Sequence, residues 1–128
     1  MHAPDPAFAT RIRESFGRQK AMALIGASLR RVEAGEVEVA LPWREDLTQQ
    51  KGFIHGGILG MIADTACGYA AFSLMPAGGS LVTVEYKMNI LRPGRGSLSP
   101  HTTPMQSRAP SGTATTSPIA TSIPAGTR

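Results

Sequence analysis

Five prolines near one end decide where this chain can fold. From Ser97 to Arg128, Ser, Thr and Pro supply 18 of 32 residues, with Pro100, Pro104, Pro110, Pro118 and Pro124 recurring every few positions. Each proline removes a backbone donor and restricts its predecessor, so neither a helix nor a central strand survives that spacing. With almost no large apolar side chain, the segment cannot bury enough surface to offset the entropy of ordering it. Residues 97–128 therefore read as a disordered Ser/Thr/Pro-rich tail, and residues 1–96 must build whatever core exists. The change of character is abrupt: all nine acidic residues lie at or before Glu85, and all seven aromatics at or before Tyr86.

A chain of 128 residues has the length of one domain with one modest core. Its net charge of +4 is scattered, without a basic run or an aromatic-basic stripe, which argues against nucleic acid. The lone Cys67 excludes an internal disulfide framework and a Cys-rich metal site, and fits a reducing compartment. No metal site is expected, because His2, His55 and His101 lack ligand spacing and companions. The start of the chain lacks a basic-then-apolar signal pattern. The longest apolar stretch, Ile58 to Met75, carries Asp64 and Thr65 near its middle, which argues against a membrane span. A cytoplasmic protein is the expectation.

Periodicity places the elements. Phe8, Ile12 and Phe16 have helical spacing between Pro6 and about Arg18, and Gly17 can end that helix. Ala23–Val32 and Gly35–Leu41 flank a Glu-Ala-Gly turn, with Val37, Val39 and Leu41 alternating against Glu36, Glu38 and Ala40; this predicts a β-hairpin with one buried face. A polar loop follows from Pro42 to Phe53. The strongest helical segment runs from Ile58 to about Leu74, with Leu59, Ile62, Ala63, Ala66 and Ala70 on one face and Pro76 closing it. Leu81–Leu91 alternates again and predicts a strand that Pro93-Gly94 stops.

An apolar helix carrying one carboxylate requires an explanation, since Asp is a poor mid-helix residue and costly to bury alone. Asp64 is either a hydrogen-bonded rim residue or a chemical group. Gly56, Gly60, Asp64 and Gly68 recur at four-residue spacing, so a stripe almost without side chains crosses the carboxylate. Each such glycine lowers helix stability by about 1 kcal/mol relative to Ala, which is intelligible if another backbone or a ligand must come close. Gly56 and Gly57 precede the first turn, where unpaired N–H groups and the macrodipole suit a developing oxyanion. Eight residues of helix separate Gly56 from Asp64 by about 12 Å, too far for one carbonyl to sit about 3 Å from both. Cooperation between them would need two copies, their helices antiparallel about a two-fold axis.

The run His55-Gly56-Gly57-Ile58-Leu59-Gly60-Met61-Ile62-Ala63-Asp64-Thr65-Ala66, followed by Val82-Thr83-Val84-Glu85-Tyr86-Lys87-Met88-Asn89-Ile90-Leu91-Arg92-Pro93, closely resembles the hotdog-fold acyl-CoA thioesterases of the phenylacetate-degradation (PaaI) type. The resemblance covers about residues 8–96. It implies an α+β hotdog fold, an antiparallel sheet wrapped around a central helix, acting as a homodimer or dimer of dimers with active sites between subunits. It implies hydrolysis of an aryl-acetyl or medium acyl thioester to free acid and CoA, with coenzyme A as part of the substrate and no separate cofactor. By position, Asp64 matches the catalytic carboxylate, acting as general base or nucleophile. Gly56 matches the amide that polarises the carbonyl, and Gly57 accompanies it. Gln49 matches an Asn or Gln that places carbonyl or water, and Thr83 a Ser or Thr that orients the water. His55 matches the histidine that shapes the helix start. Lys87, Arg92 and Arg95 could meet CoA phosphates.

Family members continue past the Arg-Pro motif with about three further strands, whereas Ser97–Arg128 has none of their alternation. Residues 1–96 thus read as a partial hotdog domain, and the tail as a shifted reading frame or a truncation, which composition does not separate. Losing those strands would expose apolar helix surface at about 25 cal/mol per Å², enough to exceed a net stability of about 5–15 kcal/mol. The expectation is a marginally folded or association-dependent chain with reduced or absent activity. The rival readings are an impaired remnant serving as an acyl-binding or interaction module, and a hydratase, for which the helix lacks a histidine.

Overall fold

In a computed structural model, residues 2–83 together with Tyr86, Met88, Ile90, Pro93 and Gly94 are described. Helix α1, Phe8–Gly17, forms where the helical spacing predicts it and buries Ile12 completely. Phe8 and Phe16, one turn to either side, pack partly against the same core. Helix α2, Lys20–Ile25, corrects the expectation of a strand from Ala23: the Ala-Met-Ala-Leu run favours helix, and Met22 and Ile25 turn inward. Gly26 ends α2 at φ 74°, a left-handed conformation that glycine adopts without strain.

Strands β1, Ser28–Glu33, and β2, Glu36–Ala40, pair antiparallel around a turn in which Gly35 has φ 79°. Their register shifts between Leu29 and Arg31. The alternation of β2 is realised in full: Val37, Val39 and Leu41 are 0% exposed. A 3-10 turn at Glu45–Leu47 and a bridge between Thr48 and Ile54 shape the next loop.

Helix α3, Gly56–Phe72, begins two residues before the predicted start because His55 caps it. Leu59, Ile62, Ala63, Ala66 and Ala70 are all buried, joined by Tyr69, and this face lies against β2. Burying a full-sized aliphatic such as Ile62 contributes roughly 1.5–3 kcal/mol. The long apolar helix against an antiparallel hairpin is the hotdog arrangement in its central part. No helix among the described residues is long and apolar enough to cross a membrane. The tail, 97–128, lies outside the described residues.

The strand expected over Leu81–Leu91 is corrected at its described positions. Leu81, Val82, Thr83, Tyr86, Met88 and Ile90 carry no sheet pairing. Leu81, Thr83, Tyr86, Met88 and Ile90 approach α3 instead, as set out below, while Val82 is exposed; the remaining positions lie outside the described residues.

One buried polar residue fastens hairpin to helix. Ser73, 0% exposed, accepts from the Gly35 N–H at 2.6 Å and donates to the Ala70 carbonyl at 2.6 Å. Removing the hydroxyl strands a buried N–H, so Ser73→Ala should cost about 1–3 kcal/mol. A urea titration measures it, and an unchanged midpoint would show that the Gly35 amide finds another partner.

Candidate functional site

The N-terminus of α3 is built by a closed loop. The Gln49 N–H donates to the Phe53 carbonyl at 2.8 Å, the His55 N–H to the Leu47 carbonyl at 2.9 Å, and the Ile54 N–H to the Gly94 carbonyl at 3.0 Å. His55 Nδ1 accepts from the Gly57 N–H at 2.8 Å, which satisfies one orphan donor of the first turn. That bond commits the Gly57 amide and gives His55 the work of a cap. The Gly56 N–H, by contrast, has no partner among the described residues. Gln49 lies in the same loop, its Oε1 accepting from the Lys51 N–H.

Asp64 sits two turns further along α3, partly exposed, and Thr83 Oγ1 donates to its Oδ1 at 2.8 Å. This bond fixes one carboxylate oxygen, and the other has no partner among the described residues. The glycine stripe explains how Thr83 arrives. A Cβ on Gly68 would stand 3.5 Å from Leu81, one on Gly60 2.7 Å from the Tyr86 hydroxyl, and one on Gly56 3.5 Å from Ile90. The described residues of 81–90 thus follow the stripe antiparallel to α3, and a side chain at Gly60 would collide with Tyr86. Sequence reasoning brought Thr83 and Asp64 into one site but did not seat Tyr86 between Gly56 and Asp64.

Gly56 and Asp64 lie eight residues apart on one continuous helix, about 12 Å along its axis. One chain does not bring them together. Lys87, Arg92 and Arg95 lie outside the described residues. Cys67, one turn from Asp64, is no rival nucleophile: burial first, and then the Asp64 charge, push its thiol from 9.0 up to about 12.

An open cleft of about 340 Å³ is lined by Asp64 and Thr83 together with Ser15, Gln19, Tyr69 and Phe72. Neither Ser15 nor Gln19 carries a motif signal; only the hydrogen bonds that join α1 and the N-cap of α2 to Tyr69 reveal them.

Comparison with known proteins converges on one family. Residues 51–97 match the thioesterase superfamily, a span that includes α3, Asp64 and Thr83. The chain is similar to a thioesterase family protein of Silicibacter pomeroyi, 42% identical over 75% of this chain and 71% of that one, with a TM-score of 0.73. It is 33% identical over 82 residues to a protein of Halobacterium salinarum named as an esterase, covering 60% of this chain and 54% of the other. The PaaI protein of the E. coli phenylacetic acid degradation operon, at 21% identity, 79% and 72% coverage and a TM-score of 0.61, shares the fold. The chain spans about half the length of the curated relatives it matches, 54% and 44%.

Proposed function

The chain belongs to the thioesterase superfamily, and from that premise we propose that it is a thioester hydrolase, cleaving an aryl-acetyl or medium acyl-CoA to the free acid and CoA at sites shared between two copies. The observation that carries this reading is the Thr83–Asp64 hydrogen bond beside an open cleft, on the same helix as a Gly56 amide that has no partner among the described residues. Asp64 removes a proton from water, or attacks the carbonyl itself, with Thr83 holding its orientation. The Gly56 amide of the second copy, aided by the positive end of α3, receives the charge that develops on the carbonyl oxygen. With Asp64 as base, the CoA thiolate leaves and takes up the proton removed from water; with Asp64 as nucleophile, thiolate departure leaves a mixed anhydride, which water cleaves to the free acid and the restored carboxylate. Gln49 places carbonyl or water from the adjoining loop, and His55 keeps the first turn of α3 in register. Lys87, Arg92 and Arg95 are assigned to the CoA phosphates.

The test is release of free thiol from acyl-CoA thioesters by the full chain. Thioester cleavage well above the spontaneous rate is the expected result. Binding of acyl-CoA without any cleavage would replace this reading with that of an acyl-binding module.

A further inference from the structure

The cap that opens α3 works in one protonation state of one ring. His55 Nδ1 can accept from the Gly57 N–H at 2.8 Å only while that nitrogen keeps its lone pair, which assigns the proton of the neutral imidazole to Nε2. A second proton on Nδ1 would set two donors face to face where one bond now stands. It would also place a positive charge against the positive end of α3. The ring has little room to adjust in place: a Cβ on Gly57 would stand 3.0 Å from Nδ1 and 3.2 Å from Cε1, so the imidazole lies directly on the Gly57 backbone. The described charged groups on the adjoining elements are Glu45 and Asp46 of the 3-10 turn, Lys51 of the loop and Asp64 along α3, while the extended segment brings only apolar Ile90 to Gly56. Asp46 is taken up by Arg44, and among the described residues none of these groups pairs with the imidazole.

The consequence reaches the neighbouring amide. The Gly56 N–H shares its peptide plane with the His55 carbonyl, which accepts from the Ile58 and Leu59 N–H groups at 2.9 and 3.1 Å. That plane points where the first turn of α3 holds it, and the cap holds the first turn. We propose that His55 is a proton-operated latch on the Gly56 donor. Neutral, it keeps the amide aimed; protonated, it releases Gly57, the first turn frays, and the Gly56 N–H loses its direction. The latch is therefore closed on the alkaline side of the imidazole titration and opens as pH falls through it. Imidazole is the ordinary side chain that changes charge between about pH 5 and 8, so modest acidification operates the device. Its effect on turnover rests on the thioester-hydrolase reading, whereas the cap itself does not, and His55 acts throughout as a positioning residue.

The test follows the isotope-labelled full chain by NMR from about pH 8 to about pH 5, beside kcat for an acyl-CoA thioester on the full chain and on His55→Asn, whose side-chain oxygen can cap but does not titrate. The Gly57 amide proton should shift at the same midpoint as the His55 ring carbons, with hydrogen-exchange protection at Ile58 and Leu59 falling about fivefold, the usual consequence of losing one cap. In the full chain kcat should fall about fivefold across that midpoint, and in His55→Asn that step should be missing from the profile. Unchanged protection at Ile58 and Leu59 while the ring titrates overturns the latch. So does a step that persists in His55→Asn, or a rise in kcat on protonation, which would mean that the imidazolium serves the oxyanion directly. Loss of protection at the ring's midpoint without cleavage of any thioester supports the latch and sinks the hydrolase reading; cleavage with protection unchanged does the reverse.

Discussion

Asp64→Asn should lower thioester hydrolysis by about 10²–10⁴-fold, the contribution typical of a positioned general acid–base group. The replacement keeps the shape of the side chain and an oxygen that can still accept from Thr83 Oγ1, so the 2.8 Å contact survives while the charge is lost. The folded helix should be unaffected: the residue is only partly buried, and the apolar face of α3 lies on Leu59, Ile62, Ala66 and Ala70. Cys67 offers no bypass, because its thiol remains protonated through the neutral range. In the proposed reaction Asp64 acts on the reacting atoms, so the loss should fall on kcat. Retention of more than a tenth of the normal rate would remove Asp64 from the chemistry and leave its bond to Thr83 as a structural tie.

The helix that carries Asp64 was legible because its apolar residues repeat at 3.6-residue spacing, and the same spacing exposed the carboxylate as an anomaly. The glycine stripe also announced a close approach, and the structure supplies the approaching groups: Leu81, Tyr86 and Ile90. Local patterning failed where two elements share one composition. Ala23–Ile25 belongs to α2 because Gly26 can turn left-handed there, and an apolar run followed by glycine reads equally well as a strand. Ser73 and the Ser15–Gln19–Tyr69 network were invisible for a different reason. Their hydrogen bonds join residues 38, 50 and 54 positions apart, and such pairs exist only after α1, the hairpin and α3 have packed.

Two inactive variants mixed together should recover activity that neither has alone. Gly56→Pro deletes the amide hydrogen assigned to the carbonyl and is well suited to the helix that it enters. Position N1 of a helix tolerates proline because its N–H has no intrahelical partner. His55, at φ −59° and ψ 135°, already has the extended conformation that a following proline demands. A Cβ there meets Ile90 at an ordinary 3.5 Å. Alone, Gly56→Pro should lose about 10²–10³-fold in kcat, the usual consequence of removing one oxyanion donor. When it is unfolded and refolded with Asp64→Asn, a mixed pair joins the intact Gly56 of one copy to the intact Asp64 of the other. Its second site lacks both groups. Random pairing makes half of the dimers mixed, with one working site in each, so about a quarter of the normal activity should return. A mixture no more active than its components would mean that the two groups do not meet across subunits, and with 12 Å of helix between them in one chain the paired mechanism would have to be abandoned.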